Sequence, residues 1–176
     1  NKEYTQKFLK AITPLKRIWN CQTSIESAYD PKLMQQMADA GCTSILIGFE
    51  SLNSENLKKA GKVQNNINKY VNAVRNIHNA GIHINGSFVV GFNADTLETF
   101  KTIFKFSQDN NLSFIMLNAL YAYQGNDFYS RMKKDGHIIE TDENLCNGLC
   151  TNVFFKNLKP KEVFLNILNS LSEIYD

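Results

Sequence analysis

Residues 37–51 read MADAGCTSILIGFES, and this stretch decides the fold. Its first part is typical of a helix end, because Gly41 is a common C-terminal stop. Its second part is apolar on consecutive residues through Ile45, Leu46 and Ile47 and ends in a carboxylate, Glu50. Consecutive apolar residues predict a strand that is covered on both faces, as in a parallel sheet lined by helices.

Outward from this stretch, apolar runs of strand length alternate with stretches of helical period. Strands are predicted over residues 17–24, 44–50, 82–92 and 112–123, and helices over 66–79 and 127–134, with a last helix opened by Pro160. The pattern predicts an α/β protein with parallel strands joined by helices. Four strands cannot close a barrel, since small closed barrels have about eight. The sequence therefore predicts either a small open sheet or half of a barrel.

Two helix starts can be read from local punctuation. Asp30 followed by Pro31 predicts an N-cap with proline at the first helical position. Asp95 with Glu98 three residues later resembles a capping box, and it predicts a helix that continues through Phe104.

Composition excludes several classes of protein. The 176 residues carry 19 Lys+Arg and 17 Asp+Glu, a net charge of +2, which is too small for a nucleic-acid-binding footprint. No apolar stretch approaches the ~20 residues that a membrane span needs. Four cysteines are too few for a secreted disulfide scaffold, so we expect a cytoplasmic location. The chain starts at Asn1, within a helical pattern, and we expect it to be part of a longer protein.

Polar residues gather where the predicted strands end, which is the edge at which parallel α/β proteins bind ligands. A ligand with a ribose and an amino-acid tail would suit this combination of one carboxylate with hydroxyls and amides. The alternative to ligand binding by Glu50 is a capping role at the next helix. The alternative to ligand binding by Lys62, which follows Gly61, is a position in solvent. The polar residues at the strand ends are Gln22, Ser24, Glu50, Ser51, Ser87, Asn93, Tyr121, Tyr123 and Gln124.

The histidines and cysteines favour structural interpretations. His78, His83 and His137 have no spacing that indicates a metal site. Cys146 and Cys150 imitate the start of a C-x3-C-x2-C motif, but Val153 stands where its third cysteine belongs. We therefore interpret the pair as packed or loop thiols, and we assign no catalytic residue and no metal ligand.

Several segments together resemble one family, the radical S-adenosylmethionine (SAM) enzymes, in the branch that often carries a cobalamin-binding domain. Residues 37–51 resemble its fourth barrel strand with the pattern aGc..i.iGiEs. The resemblance implies strands three to six of a six-strand partial TIM-type barrel over residues 1–125, with a C-terminal helical extension over 126–176. The family's C-x3-C-x2-C cluster motif does not occur in this sequence. The remaining similar segments are 18–24, 57–62, 86–92, 121–129 and 134–138.

The resemblance also implies cofactors and site residues. Glu50 would accept hydrogen bonds from the SAM ribose hydroxyls, assisted by Ser87, while Lys62 would face the methionine carboxylate. The other implied SAM-binding residues are Gln22 and Ser24 near the SAM tail, and Val89 and the backbone at Tyr123 around adenine. The implied cofactors are SAM, a 4Fe-4S cluster whose ligands lie outside this chain, and cobalamin in an N-terminal domain.

In function, the resemblance implies part of an enzyme that reductively cleaves SAM to a 5′-deoxyadenosyl radical. The parent would be a cobalamin-type methyltransferase or an oxidative cyclase like those acting on magnesium-protoporphyrin monomethyl ester. This chain alone would be inactive, and its partners would be the N-terminal half of the same protein, a small-molecule substrate and a reductant such as flavodoxin or ferredoxin. The alternative is a non-catalytic α/β module that binds a nucleoside-like ligand or a protein partner.

Overall fold

A computed structural model describes residues 2–59, 61, 65–139 and 147–175 of the chain. The four predicted strands are confirmed to within four residues at each end: β1 Trp19–Thr23, β2 Cys42–Glu50, β3 His83–Val90 and β4 Phe114–Ala119. The α-helices are α1 Lys2–Ile12, α2 Pro31–Asp39, α3 Ser54–Lys59, α4 Tyr70–Asn79, α5 Leu97–Asp109, α6 Asp127–Lys134 and α7 Pro160–Tyr175. Short 3-10 turns occupy Thr13–Leu15, Ile25–Tyr29 and Ile67–Lys69.

The strands form one parallel sheet in the order β1-β2-β3-β4. Strand β1 pairs with β2 so that Cys21 lies beside Ile45, with an irregularity between Trp19 and Asn20. This order repeats the order of the strands along the chain, as expected when each helix connects one parallel strand to its neighbour.

One predicted helix cap is confirmed and the other is wrong. The Asp30 side chain accepts hydrogen bonds from the N–H groups of Lys32 and Leu33 at 3.1 and 3.2 Å, so it caps α2. Helix α5 begins one residue later than a box at Asp95 and Glu98 would place it. There the Thr96 N–H donates to the Thr99 hydroxyl oxygen at 3.0 Å. Asp95 instead turns back toward the end of β3.

The two faces of each strand are buried to different extents. On β2, Ile45, Ile47 and Phe49 are buried, whereas Leu46 and Gly48 are half-buried. On β3 the buried and half-buried residues alternate in the same way. The second face of the sheet is therefore covered less completely than the first. Four strands do not close on themselves, so the second face of the sheet is not packed as tightly as the helix-covered face.

Contacts within the chain group the residues into two compact units. The first comprises residues 1–49, 63–87 and 110–115, and its core includes Ile45, Phe49 and Tyr70. The Tyr70 hydroxyl donates to the Phe49 carbonyl oxygen at 2.8 Å, and the two rings pack edge to face at 5.1 Å. These contacts link α4 to β2 within that unit.

The second unit comprises residues 50–62, 88–109 and 116–176. Within it, the segment after α6 runs back toward the C-terminal part of β4. Ala119 N–H donates to the Gly148 carbonyl oxygen at 2.6 Å, and Ile138 pairs with Val153 in an antiparallel bridge. The predicted domain boundary at residues 125 and 126 stays a prediction.

Among the described residues, no helix is both long enough and apolar enough to cross a membrane.

Candidate functional site

Glu50 is the last residue of β2, and its backbone is unusual. Its φ is +64°, in the left-handed region that non-glycine residues rarely adopt. The residue before it is held firmly, because the Phe49 carbonyl oxygen accepts hydrogen bonds from both Tyr70 and the Asn65 side chain. Glu50 itself is half-buried. Such a placement brings a carboxylate to the carboxyl end of a parallel strand, where these folds bind ligands.

Three of the predicted site residues belong to the first unit. Gln22 lies on β1 and Ser24 directly after it, and both are exposed, while Ser87 on β3 is half-buried. Two residues before Ser87 on β3, Asn85 donates to the hydroxyl oxygen of Ser44 on β2 at 3.0 Å. Strands β2 and β3 therefore present these polar side chains on a common face. By the two-residue alternation of a strand, Ser87 lies on the face of Asn85.

The other predicted residues belong to the second unit or lie outside the described residues. Val89 on β3 is half-buried. Tyr123 is 58% exposed and its ring contacts that of Tyr121, with the centroids 5.1 Å apart. Lys62 lies outside the described residues, so its predicted contact with a carboxylate stays a prediction.

A buried polar network in the second unit was missed by the sequence analysis. Asp95 and Asn56 are fully buried and Ser51 is 2% exposed. The Asn56 side-chain amide donates to Asp95 Oδ1 at 2.6 Å and lies 3.4 Å from the Ser51 hydroxyl oxygen. Burial raises the pKa of Asp95, against the opposing effect of the hydrogen bonds that its carboxylate accepts. A polar cluster this deeply buried is more informative than exposed polar residues at strand ends.

The positions of the cysteines decide whether they could bind an iron–sulfur cluster. Cys21 on β1 and Cys42 on β2 hydrogen-bond to each other through their thiols, which lowers the pKa of Cys21 and raises that of Cys42. Cys42 is buried, as predicted for a core thiol, whereas Cys146 lies outside the described residues. In the described part of the chain, no three His, Cys, Asp or Glu side chains converge in a way that could hold a metal ion. These residues therefore do not fit the three thiolates that a 4Fe-4S cluster of this kind requires.

The second unit also contains a cavity of about 310 Å³. Of the polar residues expected at the strand ends, Asn93 lines this cavity, whereas Tyr121 and Tyr123 do not. Aromatic side chains contribute much of its wall, together with two cationic side chains and one carboxylate. Its lining residues are Lys59, Phe92, Asn93, Leu120, Phe128, Arg131, Met132, Asp135, His137 and Phe155.

Sequence comparison gives a match to one family and to several curated proteins. The profile of the Radical SAM superfamily matches residues 2–107. Bacteriochlorophyllide d C-12(1)-methyltransferase of Chlorobaculum tepidum is 30% identical over 131 residues, which are 74% of this chain and 29% of that protein. Hopanoid C-2 methylase of Rhodopseudomonas palustris is 24% identical over 127 residues, 72% of this chain and 24% of that protein. The chain thus spans less than a third of the length of these two relatives.

Solved structures show the same fold. The radical SAM methyltransferase TsrM from Kitasatospora setae, solved with cobalamin and a [4Fe-4S] cluster bound, matches with a TM-score of 0.64 at 14% identity, over 78% of this chain and 29% of that one. Coproporphyrinogen III oxidase (HemN) from Escherichia coli, described as a radical SAM enzyme, matches with a TM-score of 0.65 at 12% identity, over 98% of this chain and 36% of that one. At these identities the matches report architecture, and they agree with a partial TIM-type barrel.

Proposed function

This chain belongs to the radical SAM superfamily, and we propose on that basis that it forms part of a SAM-dependent enzyme whose Glu50 binds the SAM ribose. The observation that carries the proposal is the position of Glu50, half-buried at the end of β2 and held in a left-handed conformation. A carboxylate can accept hydrogen bonds from both hydroxyls of a diol, which neutral side chains do less well.

The enzyme class follows from the relatives. All five of the similar curated proteins are named methyltransferases or methylases, and the names of three of them refer to bacteriochlorophyllide d or hopanoids. We propose methyl transfer as the activity of the whole protein, with a small organic molecule as substrate. The cofactors proposed are SAM, a 4Fe-4S cluster and cobalamin, and the described residues do not fit the cluster.

The chain's own residues have distinct tasks in this proposal. Bound SAM would supply the reactive group, and the protein would contribute placement and exclusion of water. Glu50 orients the ribose, and Val89 and the backbone at Tyr123 offer apolar and hydrogen-bonding surface to adenine. The roles of Gln22, Ser24 and Ser87 near SAM stay predictions, as does that of Lys62. A reductant and the N-terminal half of the same protein are the partners proposed, in the cytoplasm.

The test is Glu50→Gln in the complete protein, with the SAM dissociation constant measured by equilibrium dialysis. We expect affinity to fall about tenfold to a hundredfold, because a charged acceptor of two hydrogen bonds is lost. Glu55→Gln is the matched control, since Glu55 is an exposed glutamate five residues further on whose carboxylate pairs with Lys59 at 2.6 Å. Equal SAM affinity in the wild type and the Glu50 variant would overturn the ribose-binding role and favour the capping role of Glu50.

A further inference from the structure

The buried network of Ser51, Asn56 and Asp95 has no part in the site as described so far. Asp95 uses both carboxylate oxygens: Oδ1 accepts from the Asn56 amide at 2.6 Å, and Oδ2 accepts from the N–H groups of Gly91 and Phe92, each at 2.9 Å. Gly91 and Phe92 are the first two residues after β3. The network therefore joins the segment after β3 to the segment that follows Glu50.

Asp95 does more than contact the start of α5. The Thr99 side chain in the first turn of α5 hydrogen-bonds to its carboxylate, but that carboxylate also accepts from the N–H groups just after β3 and from the Asn56 amide. Among the described residues no cation pairs with Asp95, so hydrogen bonds alone stabilise its charge. Burying a carboxylate without a cation costs desolvation free energy, and an apolar residue of similar size would fill the same space without that cost. We take its presence there to indicate a geometric role.

The other end of the network reaches the residue next to Glu50. The Ser51 hydroxyl oxygen accepts from Asn53 N–H at 3.0 Å and lies within hydrogen-bonding distance of the Asn56 amide. A left-handed conformation at a non-glycine residue such as Glu50 persists only where its surroundings enforce it. Ser51 is adjacent to Glu50 and ties this part of the backbone to the network.

The orientation of the Asn56 amide is also determined. Its nitrogen faces Asp95 and Ser51, while its Oδ1 is buried without a hydrogen-bond partner. Reversing the amide would place Oδ1 against the Asp95 carboxylate, which is a contact between two acceptors. The network thus keeps one buried acceptor unsatisfied and in return holds the amide donor on Asp95 and Ser51.

We propose that Asn56 and Asp95 are positioning residues, which hold the backbone after β2 so that the Glu50 carboxylate is presented to the SAM ribose. The inference rests on the proposed function, because it assigns a purpose to the position of Glu50. Neither residue touches the ligand in this proposal. Both act through Ser51 and the left-handed conformation of Glu50.

The experiment measures discrimination between SAM and its 2′,3′-dideoxy analogue in the complete protein. The variants are Asn56→Asp, Asp95→Asn and the exchange of both residues, and affinity is taken per folded molecule after folding is checked by circular dichroism. We expect the wild type to prefer SAM by about tenfold or more. Each single variant should lose most of this preference, because Asn56→Asp sets two hydrogen-bond acceptors against each other and Asp95→Asn sets two donors against each other. The exchange restores a donor on one side and an acceptor on the other, so we expect preference within about threefold of the wild type.

Asn157→Ala is the matched control, since the exposed Asn157 amide donates to the Asn93 carbonyl oxygen in the same loop at 2.8 Å. It is expected to leave the preference unchanged. Single variants that are folded and keep the full preference would overturn the positioning role, provided that Glu50→Gln loses it. If Glu50→Gln also keeps it, the proposed function itself fails. If a single variant does not fold, the double variant that exchanges the two residues is decisive. A folded double variant without preference for SAM would overturn the inference.

Discussion

The two edge strands of the sheet, β1 and β4, differ in the contacts that hold them. The segment from Gly148 to Asn152 lies against the end of β4 and the residues after it: Gly148 accepts from Ala119 N–H, and the Asn152 side chain bonds both backbone groups of Ala122 at 2.8 Å each. At β1, no further strand pairs on the side away from β2 among the described residues. An uncovered edge presents unpaired backbone groups to any other strand.

The hydrogen bonds at the start of β1 lead to the end of α2. Trp19 N–H donates to the Gly41 carbonyl oxygen at 3.0 Å, and the Trp19 indole donates to the Ala40 carbonyl oxygen at 2.7 Å. The start of β1 is therefore held by its junction with α2, whereas the chain that leaves β4 is held by a buried side chain, that of Asn152. The two edges should therefore fail in response to different substitutions.

The largest effect is expected at Gly41, on the β1 side. Its φ is +93°, and an added Cβ would lie 2.0 Å from the Arg17 carbonyl oxygen, so the backbone before β1 must move. We expect Gly41→Ala to lower the free energy of unfolding by about 4 kcal/mol or more, measured by urea denaturation of this chain.

Gly81 provides a matched control, because it ends α4 in the same Ala-Gly junction with φ +75° and nothing within 4 Å of an added Cβ. Gly81→Ala should lower the free energy of unfolding by only about 1–2 kcal/mol, the cost of a left-handed alanine. Equal losses for the two variants would contradict the close contact at Gly41.

A smaller effect is expected where the chain leaves β4. Asn152→Ala leaves the buried N–H and carbonyl groups of Ala122 without their partner. We expect a loss of about 2–4 kcal/mol in the free energy of unfolding, since each unsatisfied buried group costs about 1–3 kcal/mol. Asn157→Ala, which removes an exposed side-chain hydrogen bond, should lower it by less than about 1 kcal/mol. A loss at Asn152 no larger than this would show that the chain after β4 does not need the side chain.

The smallest effect concerns reactivity on β1. Cys21 has a lowered pKa because its sulfur accepts a hydrogen bond from the Cys42 thiol. Cys42→Ala removes that donor, so the Cys21 pKa should rise and its alkylation by iodoacetamide near pH 7.5 should slow by about threefold to tenfold. Cys150→Ala is the control and should leave the rate at Cys21 unchanged. A faster reaction in the Cys42 variant would mean that exposure, not the hydrogen bond, governs Cys21.

Much of the fold could be predicted because it is encoded locally. The Asp30-Pro31 cap and the four strands depend on residues within a turn or two of each other, and the structure confirms them. The helix start at Asp95 was predicted wrongly, because its partner Asn56 is 39 residues away and no local pattern reveals it. For the site, the sequence placed Glu50 at a strand end, but it gave no sign of the left-handed backbone there.

The sequence alone determined the alternation of strands and helices, the resemblance to radical SAM enzymes and the carboxylate at the end of β2. Only the tertiary structure decided that Asp95 accepts from Asn56 and from the N–H groups after β3, that the Cys42 thiol lies beside that of Cys21, and that Asn152 bonds the backbone of Ala122 after β4. The physical reason is the range of the forces. Helix caps and strand periodicity are satisfied by near neighbours, whereas a buried polar group must find its partner wherever the folded chain brings one.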